Sequence, residues 1–96
     1  MTNAAKTKGP LDGIPVLETA HCMAAPHATM ILCDHGADVI KVEPPTGEHA
    51  RNAAQVDAHG NSLFFACHNR GKRAVALDLG HPDAKQALDP LLKWAD

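Results

Sequence analysis

The stretch His35-Gly36-Ala37-Asp38-Val39-Ile40-Lys41-Val42-Glu43-Pro44-Pro45-Thr46-Gly47 reads as a helix stop, a buried strand and a proline-closed loop in direct succession. Gly36 stands where a helix end needs a residue tolerant of positive φ, and Val39, Ile40 and Val42 suit a strand covered on both faces. Pro44-Pro45 cannot continue a sheet ladder, because proline has no amide to donate. Open α/β sheets bind ligands outside the carboxyl ends of their strands, so the residues after Glu43 are a place to look for one. Asn69-Arg70-Gly71-Lys72-Arg73-Ala74-Val75-Ala76-Leu77-Asp78-Leu79 repeats the logic, a basic cluster leading into an apolar strand.

On the amino-terminal side, residues 1–9 are small and polar and are expected to form a flexible arm before the first ordered element at Leu11 to Glu18. Ile14, Val16 and Leu17 propose a short strand, with Pro15 at its start or on a side that needs no ladder bond. From Pro26 to His35, the positions Ala28, Ile31, Leu32 and His35 recur at helical spacing, and Pro26 suits a first turn. On the other side, Pro44 to Gly60 is a long polar stretch that reads as a functional or mobile loop. Asn61 or Ser62 can cap a short helix through Phe64, Phe65 and Cys67, which Gly71 closes before a third strand over Ala74 to Leu79.

Pro82 and Asp83 open the clearest helix, in which Ala84, Ala87, Leu88, Leu91, Leu92 and Ala95 share one apolar face. Pro90 predicts a kink or break near Ala87 to Asp89. The result is an α/β class chain with a parallel β-α-β-α-β-α order and right-handed crossovers. A helical face carrying so many apolar residues needs more than three short strands to cover it, so the chain reads as the first part of something longer.

The 96 residues allow one small domain at most. Hydrophobic residues make up 45% and charged residues 21%, which argues against wholesale disorder. A net charge of −2 lacks the cationic excess that nucleic acid or an anionic membrane demands. No apolar run follows Lys6 and Lys8, so neither a secretory signal nor a membrane span is expected, and a cytoplasmic location follows by default. Three scattered cysteines, Cys22, Cys33 and Cys67, favour reduced thiols over a disulfide framework.

Chemistry-bearing motifs are sparse. There is no Gly-x-Gly-x-x-Gly run, and Gly71-Lys72 lacks the glycine five residues earlier that a Walker A loop requires. His21-Cys22, His27, Cys33, His35 and Cys67-His68 offer metal-binding atoms, but without Cys-x-x-Cys or His-x-x-x-His spacing scattered surface or core positions are favoured. His21 beside Cys22 falls short of a nucleophilic pair, since a thiol needs its base in reach and oriented by a third group. Arg70, Lys72 and Arg73 could meet phosphate oxygens, against the favoured alternative of local salt bridges with Asp78 or Glu43.

Taken in order, Gly9-Pro10-Leu11-Asp12-Gly13-Ile14, Val16-Leu17-Glu18, Ala24-Ala25-Pro26, Gly36 to Pro45, Asn69-Arg70-Gly71-Lys72-Arg73 and Leu77-Asp78-Leu79 resemble the N-terminal region of family III CoA-transferases. The likeness runs from about residue 9 to residue 96. That family includes formyl-CoA and carnitine CoA-transferases and α-methylacyl-CoA racemase. The resemblance implies a Rossmann-like large domain, of which residues 10–96 are an incomplete N-terminal portion, and a homodimer of interlocked rings. It implies coenzyme A as a substrate, with no tightly bound cofactor, and an acyl-CoA and a carboxylic acid as the partners in exchange.

In the family's transferases an aspartate attacks the thioester, and CoA passes through an enzyme-bound thioester to the acceptor carboxylate. Racemase members use a His and Asp pair instead. Neither set falls within the matched motifs, so no residue here inherits a catalytic role. What the resemblance implies is part of the CoA pocket: Met23 and Ala24 after the first strand, and Leu77, Asp78, Leu79 and Gly80 after the third. The chain departs from the family at Ala25, where glycine is usual, and at Met23, where formyl-CoA transferases carry glutamine. They also carry arginine at position 44 and lysine at position 80, occupied here by Pro44 and Gly80. The expectation is a CoA-transferase segment lacking its nucleophile and inactive alone, with an acyl-CoA racemase and a truncated, non-catalytic CoA-binding or interaction segment as alternatives.

Overall fold

The computed structural model describes residues 9–96, so the arm expected over 1–9 lies outside the described residues except for Gly9. Strands β1 (Pro15–Glu18), β2 (Asp38–Glu43) and β3 (Arg73–Ala76) form one parallel sheet in the order β1-β2-β3. Pro15 pairs with Asp38 and Ile40 with Arg73, which sets the two registers. Helices α1 (Ala24–Asp34), α2 (Leu63–Asn69) and α3 (Ala84–Trp94) alternate with the strands, and a 3-10 turn spans His49–Asn52.

The α1 to β2 junction has the expected punctuation. Gly36 adopts φ +104°, its amide donates to Cys33 O (3.0 Å), and Ala37 N donates to Leu32 O (3.1 Å). This pair of bonds satisfies two carbonyls that the helix would otherwise leave open. A side chain at Gly36 would also press on the backbone of Gly9 and Asp12. Cys33, Ala37 and Val39 then form the small core, with Leu11, Val16 and Leu32 packed against it. Gly71 likewise takes left-handed backbone after α2, with φ +78°, and a Cβ there would stand 2.8 Å from Cys33 Sγ.

Ser62 is the cap chosen for α2, accepting from Phe65 N at 3.1 Å while its hydroxyl donates to Ala53 O at 2.8 Å. The structure adds detail to two expectations, at α1 and after Pro44, and corrects two, at the third strand and at Pro90. The buried face of α1 is Pro26, Met30 and Cys33, whereas Ala28, Ile31 and His35 are exposed. Both sets have helical spacing, and only the packing partners decide between them. The third strand ends at Ala76 because its partner β2 ends at Glu43, although Leu77 N still donates to Glu43 O (2.8 Å). Helix α3 runs unbroken through Pro90. The polar stretch after Pro44 is partly built, with the 3-10 turn and a bridge between Val56 and Ser62.

After β3 the chain crosses the sheet, for α3 packs on β1 and Asp96 N donates to Pro15 O at 3.0 Å. The carboxyl ends of all three strands therefore open onto the loops 19–23, 44–62 and 77–83.

Candidate functional site

The first of these loops joins β1 to α1. Cys22 holds φ +72°, a left-handed conformation that costs an L-residue with a side chain, and both Cys22 and Met23 are exposed. Met23 is the N-cap of α1, makes no side-chain cap bond, and is followed by no acidic residue in the first turn. The amides of Ala24 and Ala25 thus stand at an open helix N-terminus, where partial positive charge favours an anion or a polarised carbonyl.

Behind the loop lies a cluster of buried ions. Lys41, inside β2, is 1% exposed, and its ammonium donates to Glu18 Oε1 (3.1 Å) and to Ala20 O (3.1 Å). Lys72 lies 2.7 Å from Glu18 Oε2 and donates to Pro26 O (2.8 Å) and Asn69 Oδ1 (2.9 Å). Burial pulls the Lys72 ammonium below the ordinary lysine value, while its bond to Glu18 opposes that shift. Thr29 adds a third contact to the Glu18 carboxylate, its hydroxyl donating to Oε2 at 2.8 Å.

Glu48 enters the cluster from the loop after β2. Its Oε2 accepts from Cys22 N at 3.1 Å and lies 3.1 Å from His21 Nδ1. Its Oε1 lies 3.4 Å from Lys41 Nζ, near enough for ionic attraction but without hydrogen-bond alignment. Glu48 N in turn donates to Glu43 Oε1 (3.1 Å). Arg51 grips Glu43 through two bonds of 2.6 and 2.7 Å and stacks its guanidinium 3.9 Å from the Phe65 ring. That grip holds the Glu43 carboxyl below the usual glutamate range and raises the guanidinium correspondingly.

The basic cluster after α2 is engaged in salt bridges, though not with Asp78 or Glu43. Arg70 pairs with Asp34, Lys72 with Glu18 and Arg73 with Asp38. Each partner sits on α1, β1 or β2, brought close by the parallel crossover. A cleft of about 740 Å³ between α2 and the 51–61 segment is bordered by Arg51, Asn61, Phe65, Arg70 and Lys72, and includes none of Met23, Ala24 and residues 77–80.

Those residues fall in two places. Leu77 and Asp78 line a cavity of about 230 Å³ with His81, Asp83 and Ala84, large enough for a fragment of a coenzyme only. Asp78 Oδ1 accepts from Gly80 N (3.0 Å), which tightens this turn, and Leu79 is half-exposed. Met23 and Ala24 do not line that cavity. Glu48 and Lys41 escaped the sequence reading. Lys41 carried a signal, a cation amid Val39, Ile40 and Val42, which calls for a buried carboxylate. Glu48 carried none, since only folding brings it beside the first loop.

Among the described residues, no three of His, Cys, Asp and Glu converge to hold a metal ion, and no helix is long and apolar enough to cross a membrane.

The family model for CoA-transferase family III matches residues 11–96. The chain belongs to CoA-transferase family III. Among its curated relatives in this family are the succinyl-CoA:mesaconate CoA-transferase of Haloarcula hispanica, 39% identical over 92% of this chain and 23% of the relative, and the formyl-CoA:oxalate CoA-transferase of Afipia carboxidovorans, 39% identical over 90% and 20%. A crystal structure of a CAIB/BAIF family protein from Brucella suis superposes with TM-score 0.85 and 37% identity, over 94% of this chain and 25% of that one. Rv3272 from Mycobacterium tuberculosis gives TM-score 0.81 and 42% identity, over 92% and 24%. The family III chain described here spans about a fifth to a quarter of the length of these relatives. Its Rossmann-like α/β segment is the N-terminal portion of the family fold.

Proposed function

We propose that this chain supplies part of the coenzyme A pocket of a CoA-transferase that moves CoA between an acyl-CoA thioester and a carboxylic acid. The observation that carries the reading is the open N-terminus of α1, set on a loop at the carboxyl end of a parallel strand. Neither an acidic residue nor a side-chain cap competes there for the amides of Ala24 and Ala25. Met23 and Ala24 would line the reacting end of the coenzyme. Leu77, Asp78, Leu79 and Gly80 would form the second wall, with the cavity at Leu77 taking an apolar fragment.

No residue of this chain is assigned the nucleophile, so covalent exchange is not expected from it alone. A homodimer, which the family likeness implies, and a cytoplasmic location belong to the same proposal. The test is calorimetric titration of CoA into the 96-residue chain beside Leu77→Asp and Ala24→Asp. Each substitution puts a carboxylate where the ligand's phosphates or acyl group would come, and each is expected to weaken binding about tenfold or more. CoA binding indifferent to both changes would remove the assigned pocket, and CoA exchange catalysed by the chain alone would overturn the statement about the nucleophile.

A further inference from the structure

We infer that Glu48 is a positioning residue, whose buried carboxylate holds the β1–α1 loop in the left-handed conformation that presents Met23 and the open end of α1 to the ligand. The inference rests on the coenzyme A reading above. Cys22 is not a glycine, so its φ of +72° needs an outside hold, and its own exposed side chain offers none. The hold falls on the backbone: Glu48 Oε2 takes the Cys22 amide at 3.1 Å. A charge-assisted bond from a carboxylate is stronger than one from a neutral acceptor, and the Glu48 side chain is fully buried.

Glu48 is itself fixed from β2. Glu43, the last residue of that strand, accepts the Glu48 amide and is gripped by Arg51, while Lys41 faces the other carboxylate oxygen at 3.4 Å. Lys41 also holds Ala20 O, two residues before Cys22. Two points of the loop backbone are thus held by buried ions, Ala20 O by Lys41 of β2 and Cys22 N by Glu48, which is itself bonded to the last residue of that strand. Glu48 touches no ligand in this scheme and acts through the shape of residues 20–23.

The test compares the wild-type chain with Glu48→Ala, Cys22→Gly and their combination, reading CoA affinity by calorimetry, exchange of the residue-22 amide by NMR, and the urea midpoint. Glu48→Ala is expected to speed that exchange and to weaken CoA binding about tenfold. Glycine enters left-handed backbone without help, so adding Cys22→Gly to Glu48→Ala is expected to restore most of the affinity while the urea midpoint stays low. A merely structural role would show no such rescue. Should Glu48→Ala fail to fold, Glu48→Gln keeps an acceptor for the amide and is expected to keep affinity within about threefold.

Unchanged exchange and affinity in Glu48→Ala, or affinity lost without rescue in a folded double variant, would overturn the inference. If the wild-type chain does not bind CoA, the coenzyme reading falls, and exchange at residue 22 still decides whether Glu48 holds the loop.

Discussion

The two edges of this small sheet are built on opposite terms. Between β1 and β2 the chain buries ions: Glu18, Lys41 and Glu43 are each at most 5% exposed. Along β3 every residue from Arg73 to Ala76 is exposed, and on the helix that follows only Ala84 is buried, with Leu92 54% exposed. A strand with apolar residues and no cover usually signals a surface meant for further protein, whereas buried ions signal a geometry held at a cost. The proposed site therefore has one rigid wall at the loop after β1, and one lightly supported wall after β3.

The comparison breaks hardest at Lys41. Replacing it by methionine keeps the volume but leaves Glu18 and Glu48 without the cation that separates them, although Lys72 still serves Glu18. Removing one partner from a buried ionic cluster costs about 3 kcal/mol or more, a large part of the stability of a chain this size. Urea unfolding of Lys41→Met is expected to show that loss. A change below about 1 kcal/mol would mean that the cluster does not anchor the site.

Arg51→Ala is the intermediate case, because its guanidinium is 43% exposed while Glu43 is buried. The expected loss is about 2 kcal/mol at neutral pH. Its pH dependence has a definite sign. Unfolded Glu43 protonates near 4.5, and the folded carboxyl is held lower, chiefly by its hydrogen bonds from Arg51, against the opposing effect of burial. Its contribution is thus complete above that value and is lost as the pH falls through the folded one. Without Arg51 the folded carboxyl titrates higher, so acid unfolding is expected to begin at higher pH. An acid midpoint unmoved by Arg51→Ala would deny Glu43 this role.

The contrast between the edges also explains how much could be read from the sequence. Gly36, Pro44, Ser62 and Gly71 act on their immediate neighbours, through backbone conformation, a missing amide or a cap. Strand β2 and the ends of α1 and α2 were legible for that reason. The buried face of α1 was not, because Ala28 with Ile31 and Met30 with Cys33 satisfy the same periodicity, and the choice belongs to whatever packs there. The partners of Arg70, Lys72 and Arg73 were also misassigned. Parallel crossovers bring Asp34, Glu18 and Asp38 near them from far along the chain. Met23, Ala24 and the segment 77–80 came from family likeness, and their placement at strand ends agrees with where such sheets take ligands.

The smallest expected effect belongs to Arg73, and it sharpens the contrast most. Its guanidinium meets Asp38 in two bonds of 3.1 and 2.7 Å, the same two-bonded arrangement as Arg51 on Glu43 though longer in one bond, and it lies 5.9 Å from the Trp94 ring. Exposure separates the two pairs: the Arg73 and Asp38 side chains are 61% and 37% exposed. Water and salt screen such a pair, and Arg73→Ala is expected to cost about 0.5 kcal/mol in urea unfolding, falling toward zero in 1 M salt. If the loss instead matched that of Arg51→Ala and survived salt, the bond between β2 and β3 would have to be counted as an anchor. The wall at Leu77 would then be as firmly held as the loop after β1, and the asymmetry between the two halves of the proposed pocket would disappear.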